Sequence, residues 1–439
     1  ADRLGCYGYA KGTSPHIDQL ATKSMVFENA IASSCWTTPS HASLFTGFSP
    51  NVHRAGVWSA GFALRQQWTT LAEIARQKGF RTAAFTEGVA IRGEDGFDQG
   101  FESYSDSSKP QHHEVGKIEH TLASAQSWLD ANGAMPYFLF IHSYEVHAPY
   151  GGPESWAKHY LDPEFSGPIP RVPEAESTPA ERRLFSQVYD GGIRYMDHAF
   201  GKFLEGLAAG DHLENTVLIV LSDHGEEFGE HGNYGHSRHL YNESIHVPLI
   251  VRFPESDLRV GRVDTMVAML DVFSTVLDLW GIKIPNQVES ESLLPLTTPN
   301  ARGAYGREAV FSTLDHVEPS LNATLGSIVE WSTNAVQTTD WKYLRSNRPW
   351  VFDQAESGLS MEQAPVETAE LYNLKSDPKE MASVSGQQQM SEDTLREQLG
   401  AHRLQSQKTR SNVMGQEKQF IIEEINKDTI DGLEALGYL

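Results

Sequence analysis

Short apolar runs alternate with amphipathic stretches over the first two thirds of the chain. The runs have strand length and little polar alternation, which is typical of strands buried on both faces. The intervening stretches 70–79, 118–133 and 182–210 have helical spacing. This order predicts an α/β fold in which a mostly parallel central sheet is sandwiched by helices. The expected strands are MVFENA (25–30), RTAAFT (81–86), YFLFIHS (137–143), TVLIVLS (216–222) and VPLIVRF (247–253).

The pattern changes after residue 281. Shorter and partly alternating runs at 309–314, 329–346 and 370–374 predict a smaller antiparallel sheet, and the polar stretch 394–439 predicts a helical tail. We therefore expect a catalytic domain over residues 1–305 and a smaller C-terminal unit over residues 306–439.

Composition narrows the range of partners and substrates. The 439 residues carry a formal net charge of -23, which disfavours nucleic acid or an anionic membrane as a partner. No apolar run is long enough to cross a bilayer. An anionic substrate would have to be bound locally, by a metal ion or by some of the 18 histidines. The two cysteines, Cys6 and Cys35, are expected to be small thiols rather than a disulfide bridge.

Polar, histidine-bearing segments follow three of the predicted strands. Because ligands bind beyond the carboxyl ends of the strands in such sheets, we expect these segments to converge at one edge. Asp223 and His224 follow a buried strand directly, and one carboxylate beside one imidazole suits a divalent cation. The alternative is that Asp223 caps a turn and His224 is merely exposed.

Seven polar segments stand out along the chain. They are LGCYGY (4–9), SPHIDQLA (14–21), TTPSHASLFTG (37–47), HSYEVHAPY (142–150), SDHGEEFGEHG (222–232), GHSRHLYNESIHVPLIV (235–251) and ELYNLKSDPKE (370–380). In these segments and their order the chain resembles the sulfatase family of the alkaline-phosphatase superfamily, and the likeness runs over essentially the whole chain. The resemblance implies a metal-dependent hydrolase.

The chain departs from the family motif at its central position. Family members carry Cys-x-Pro-Ser-Arg, whose cysteine becomes a formylglycine, whereas this chain has Thr37-Thr38-Pro39-Ser40-His41. Threonine cannot become formylglycine, but a metal ion that lowers its hydroxyl pKa makes it a nucleophile. Thr37 is therefore the candidate nucleophile, as in phosphatase and phosphodiesterase branches of the superfamily. The alternative is that Thr37 is only the N-cap of the following helix.

The resemblance also implies roles for other residues. His147 and His236 fall where relatives contact the transferring group, and either can bind the anion or protonate the leaving oxygen. His41 stands in the arginine position and Glu87 in a sulfate-binding lysine position, which makes both candidate substrate-binding residues. Weaker candidates nearby are His142, Arg238 and His239.

The metal site implied by the resemblance is held by Asp223 and His224. The identity of the cation, calcium, magnesium, manganese or zinc, is left open. In relatives, acidic ligands follow a buried strand just upstream of the position of Ala1, so we expect a strand and ligands N-terminal to this sequence.

The leading hypothesis is thus a metal-dependent hydrolase of sulfate or phosphate esters. A transferase of phosphoryl-alcohol groups and an inactive binding homologue are the alternatives. The expected substrate is a small-molecule, glycan or lipid ester, and the resemblance favours a periplasmic or secreted protein.

Overall fold

The computed structural model describes residues 1–56, 63–88, 90–106, 118–150, 152–169, 178–298, 305–317, 330–348 and 366–414. Residues 415–439 of the predicted helical tail lie outside these ranges. None of the helices within the described ranges combines the length and hydropathy that a membrane span requires.

The strands follow the predicted apolar runs closely. Four of the first five predicted strands start within one residue of their predicted positions, and the fourth starts at Leu218 rather than residue 216. The strands are β1 Met25–Ile31, β2 Arg81–Thr86, β3 Ser103–Asp106, β4 Tyr137–Ile141, β5 Leu218–Leu221, β6 Glu227–Phe228, β7 Tyr234–Gly235, β8 His246–Arg252, β9 Gly261–Ala268, β10 Val310–Val317, β11 Glu330–Gln337, β12 Trp341–Arg348 and β13 Val366–Asn373.

The helices cover the amphipathic stretches. The longest of them, α7, begins with a capping box in which Thr178 and Glu181 satisfy each other's backbone N–H groups. The helices are α1 Pro15–Ala21, α2 Thr37–Thr46, α3 Pro50–His53, α4 Leu71–Gln77, α5 Ile118–Asn132, α6 Glu154–Lys158, α7 Pro179–Ala209, α8 Asn242–Ile245, α9 Asp271–Leu279 and α10 Gln389–Met414.

The α/β architecture is confirmed, with a more mixed strand arrangement than predicted. One sheet has the order β5-β8-β1-β9, and β8 runs antiparallel to both of its neighbours. A second sheet, β3-β2-β4, is wholly parallel. β4 and β5 are edge strands, and every residue in them is only half-buried. The carboxyl ends of β1, β2, β4 and β5 lead to the segments with candidate chemistry.

The C-terminal antiparallel sheet is also confirmed. Its order is β10-β11-β12-β13, and α10 packs on it through Leu395 and Leu399. Its inner face joins the main core, where Leu314 and Leu344 share one cluster with Phe27 of β1. The boundary after residue 305 stays a prediction, because one hydrophobic core continues across it.

Candidate active site

Thr37 begins helix α2 at the carboxyl end of the β1 segment. Trp36, with an extended backbone, is the N-cap, so the alternative reading of Thr37 as the N-cap is wrong. Thr37 is the first helical residue and is 1% exposed. All ten residues of α2 are buried, which fixes the position of its first turn. The start of a helix, where backbone N–H groups lack helical partners, favours an anion.

Asp223 and His224 lie across from Thr37, just after β5. His224 Nε2 is 3.3 Å from Thr37 Oγ1 and 3.5 Å from Asp223 Oδ2. His41, one turn along α2, places its Nδ1 3.5 Å from the same carboxylate oxygen. The predicted convergence of separate segments is therefore present. His41, a predicted substrate-binding residue, lies beside Asp223, a predicted metal ligand.

A chain of aromatic rings surrounds this carboxylate. We call its histidines the histidine cluster: His41, His142, His147, His224 and His236. Neighbouring ring centroids lie 4.3 to 5.0 Å apart in the order His41, His142, Tyr144, His147, His236, His224. The cluster thus unites the predicted catalytic residues with His142, which the sequence marked only as a weaker candidate.

Three members of the histidine cluster are oriented by backbone carbonyls. Nδ1 of His41 donates to the backbone carbonyl of Thr37 at 2.9 Å. Nδ1 of His147 donates to the carbonyl of Ala148 at 2.6 Å, and Nδ1 of His224 donates to the carbonyl of Gly225 at 2.8 Å. A carbonyl only accepts, so each of these rings carries its proton on Nδ1 when neutral. Nε2 then holds the lone pair. Metal-binding histidines are commonly oriented in this way.

Burial favours the neutral form of His41, His142 and His147. It lowers the pKa of His142 and of His147 to about 3 and also lowers the pKa of His41. Burial alone would raise the pKa of Asp223, but attraction to the positive charge that His224, His41 and His142 carry when protonated outweighs burial and lowers that pKa. A carboxylate beside several imidazole rings is a ligand set for a cation.

The residues pass a test of fit for a metal ion. Ligand atoms of His41, His142 and Asp223 all lie within 4.8 Å of one another. Asp223 Oδ2 and His142 Nδ1 are buried and have no hydrogen-bond partner among the residues that the structure describes. Such atoms are costly unless something binds them. A divalent cation satisfies both.

Glu87, a predicted substrate-binding residue, contacts the loop that follows β4. Its Oε1 accepts from Thr121 Oγ1 at 2.6 Å, and its Oε2 accepts from Ser143 Oγ and from Tyr144 N, both at 2.9 Å. The carboxylate is 3% exposed and holds the loop that follows His142. Contact with substrate stays a prediction, whereas these loop contacts are present.

Other candidates lie outside the histidine cluster. Nδ1 of His239 pairs with Glu227 at 3.1 Å. Cys35 is a fully buried free thiol with its pKa raised by burial, so it offers no alternative to Thr37. Cys6 is also free, as expected. His142, the weaker candidate that joins the cluster, directly follows β4, which ends two residues earlier than predicted.

Comparisons with known proteins identify the family of the chain. A family model described as Sulfatase matches residues 1–282. An uncharacterized sulfatase of Escherichia coli, YidJ, is 24% identical over 428 residues, covering 86% of this chain and 79% of that protein. Mouse iduronate 2-sulfatase is also 24% identical, covering 85% of this chain and 87% of that protein.

Solved structures give the same fold. The crystal structure of a phosphonate monoester hydrolase of Agrobacterium radiobacter superposes with a TM-score of 0.71 at 19% identity, covering 92% of this chain and 93% of that one. The α/β architecture is therefore shared with an ester hydrolase whose named substrate contains phosphorus. Since the family model matches well over half of the chain, the protein belongs to the sulfatase family of ester hydrolases, within the alkaline-phosphatase superfamily.

Proposed function

We propose that the protein is a metal-dependent hydrolase of phosphorus esters, with Thr37 as its nucleophile. The observation that carries the proposal is the 3.3 Å distance between Thr37 Oγ1 and His224 Nε2. Because Nδ1 of His224 donates to the Gly225 carbonyl, Nε2 is its metal-binding atom, and a cation held there would lie beside the Thr37 hydroxyl and favour loss of the hydroxyl proton to solvent. Threonine then attacks phosphorus, the leaving oxygen departs, and water releases the threonyl ester.

The proposed cation is centred on Asp223. His224 is its predicted second ligand, and His41 and His142 extend the set. When bound, a divalent metal ion lowers the pKa of a hydroxyl nucleophile and neutralises ester oxygens. Imidazole nitrogens favour zinc or manganese, whereas calcium and magnesium favour oxygen ligands. We therefore expect zinc or manganese to bind more tightly than calcium.

The preference for phosphorus over sulfur rests on the nucleophile. The formylglycine of ordinary family members requires a cysteine at the motif position, which is Thr37 here. The fold shared with a phosphonate monoester hydrolase is compatible with this preference. The expected substrate is a small-molecule, glycan or lipid ester, and a periplasmic or secreted location stays an expectation.

The alternatives differ in what accepts the transferred group. A transferase would pass it from Thr37 to an alcohol instead of water, and the same residues would act. An inactive homologue is less well supported, because a buried carboxylate oxygen and a buried imidazole nitrogen without partners cost stability unless they bind something.

The test is an assay of metal-depleted protein on an aryl phosphate, an aryl phosphonate monoester, an aryl phosphodiester and an aryl sulfate. Each is measured alone and with zinc, manganese or calcium. Metal content and binding affinity are measured in parallel for the protein and for the variants D223N and H142A. Zinc- or manganese-dependent turnover of a phosphorus ester supports the proposal. Turnover of the sulfate alone, or equal turnover without metal, overturns it.

A further inference from the structure

The segment of residues 32–36, which we call the nucleophile loop, joins β1 to helix α2 and is buried. Its first four residues are at most 1% exposed. Carbonyl groups at such depth need hydrogen-bond donors from the protein, and each of the four carbonyls from residue 32 to residue 35 has one. The donors are Ser312 Oγ to Ala32 at 2.7 Å, Thr313 N to Ser33 at 2.9 Å, Ser40 Oγ to Ser34 at 3.1 Å and Ser237 N to Cys35 at 3.1 Å.

Two of these donors belong to β10, an outer strand of the C-terminal sheet. Ser312 is 280 positions from Ala32 in sequence. The hydroxyl of Ser312 and the N–H of Thr313 follow one another along β10 and bind successive carbonyls of the nucleophile loop. The edge of the C-terminal sheet therefore lies against the backbone that leads into Thr37.

Thr313 also contacts the helix that follows α2. Its Oγ1 accepts from Asn51 Nδ2, in α3, at 2.9 Å. Ser312 and Thr313 are both 2% exposed, so these contacts are made away from water. β10 thus holds the chain before α2 and after it, and α2 is the helix that begins with Thr37.

The donor to Ala32 differs from the donors to Ser33 and Cys35 because it is a side chain and can be removed by substitution. Without the Ser312 hydroxyl, a buried carbonyl oxygen loses its donor, which favours a shift of the loop toward another partner. Because the same short segment leads into Thr37, such a shift moves the nucleophile. A misplacement of about 1 Å can cost about 10²-fold in rate.

We propose that Ser312 is a positioning residue for Thr37, and that the C-terminal sheet is thereby part of the catalytic machinery. This inference rests on the proposed function and deepens it. Ser312 takes no part in making or breaking bonds, and it acts only through the backbone of the nucleophile loop. Its loss should lower kcat more than it raises KM, because it displaces the attacking atom rather than the groups that bind the ester.

The test compares S312A with S346A, the same substitution at a buried serine of β12. Ser346 is 7% exposed and shares a hydrogen bond of 2.8 Å with Thr333, and β11 separates β12 from β10. Each variant loses one buried hydrogen bond, so both should fall similarly in melting temperature. We expect S312A to lower kcat about 10-fold or more with KM within about twofold of the wild type, and S346A to change neither. S312T, which keeps the hydroxyl, should recover most of kcat.

A double variant separates positioning from a general weakening of the fold. T37V removes the hydroxyl that Ser312 is proposed to position, so adding S312A should not lower the residual rate of T37V further. Additive losses in the double variant would overturn the proposal. An equal loss of kcat in S312A and S346A would overturn it as well.

A second readout does not depend on activity. Amide hydrogen exchange over residues 32–41 should be faster in S312A than in the wild type and unchanged in S346A. If the wild type hydrolyses none of the esters, the proposed function fails, while the exchange still tests whether Ser312 holds the nucleophile loop. If the esters are hydrolysed and neither exchange nor kcat changes in S312A, the positioning role fails alone.

Discussion

The hydroxyl oxygen of Thr37 lies 3.3 Å from Nε2 of His224, although the two residues are 187 positions apart in sequence. Helix α2 provides one partner and the turn after β5 provides the other. The position of Thr37 is fixed by its fully buried helix, and the orientation of the His224 ring is fixed by its hydrogen bond to the Gly225 carbonyl. A reactive pair that is oriented before substrate arrives pays less ordering cost during reaction.

Removing the hydroxyl of Thr37 should abolish turnover. We expect T37V, which keeps the side-chain shape, to lower kcat by at least about 10³-fold, while T37S retains most activity. T46V is the matched control, because Thr46 is buried in the same helix, where its hydroxyl donates to the Ala42 carbonyl at 2.7 Å and accepts from Phe48 N at 3.4 Å. Steady-state rates and thermal melts of all three variants decide the matter. A T37V rate within tenfold of the wild type would exclude the nucleophile assignment.

Glu87 should act through the loop that it holds. We expect E87A to weaken metal binding and lower the melting temperature, because Ser143 and Tyr144 lose their anchor next to His142. Calorimetric metal titration and steady-state kinetics measure the two effects. T121V, which removes one of the contacts to Glu87, should show a smaller effect of the same kind. Unchanged metal affinity with a raised KM would instead favour the predicted contact with substrate.

Acid should destabilise the protein partly through His53. Its Nδ1 accepts from Ala55 N and its Nε2 donates to Ser43 Oγ, both at 3.0 Å. Burial lowers its pKa from 6.5 to about 3, helped by the neighbouring Arg54. Between these values only the unfolded chain binds the proton, so the free energy of unfolding falls as the pH drops through this window. The slope approaches about 1.4 kcal/mol per pH unit.

Urea unfolding at pH 7.5 and pH 5 measures the effect. We expect H53Q to be less stable than the wild type at the higher pH but to lose less stability on acidification. An equal loss in both proteins would mean that His53 does not supply this proton linkage.

A buried ion pair of the C-terminal unit, which we call the Lys342–Glu380 clamp, contacts the first residue of α8, because Lys342 Nζ also donates to Asn242 Oδ1 at 3.2 Å. Lys342 Nζ lies 2.7 Å from Glu380 Oε1, and both side chains are 0% exposed. K342M should cost about 3–5 kcal/mol of unfolding free energy, because it leaves a buried carboxylate without its cation. K375M removes the cation from an exposed pair with Asp340 and should cost under about 1 kcal/mol. Equal losses of unfolding free energy in K342M and K375M, measured by denaturant titration, would show that the Lys342–Glu380 clamp does not stabilise the protein more than an exposed ion pair does.

The sequence predicted the strands and the convergence of their ends because both depend on local patterns. Apolar runs locate β1, β2 and β8 to within one residue. It missed β9, where the apolar positions of Gly261–Ala268 are interrupted by Arg262 and Asp264. The antiparallel direction of β8 was also missed, since strand direction depends on the path of the chain between strands.

Asp223 and His224 were singled out because they come just after a predicted strand. His142 lay inside the predicted strand 137–143 and directly follows β4 only because β4 ends at Ile141. The place of His41 beside Asp223 is a tertiary distance that the motif does not encode. Likewise, the contacts of Glu87 depend on a loop more than 50 residues away.

The clamp has a consequence for how this protein can be divided. Glu380 accepts from the backbone N–H of Asn242 at 2.6 Å and also pairs with Lys342. One carboxylate therefore links β12 to the first residue of α8. The C-terminal unit therefore supports the start of α8. A fragment that stops at residue 305 would lack both Lys342 and Glu380, and a fragment that is to keep these contacts must extend at least to Glu380.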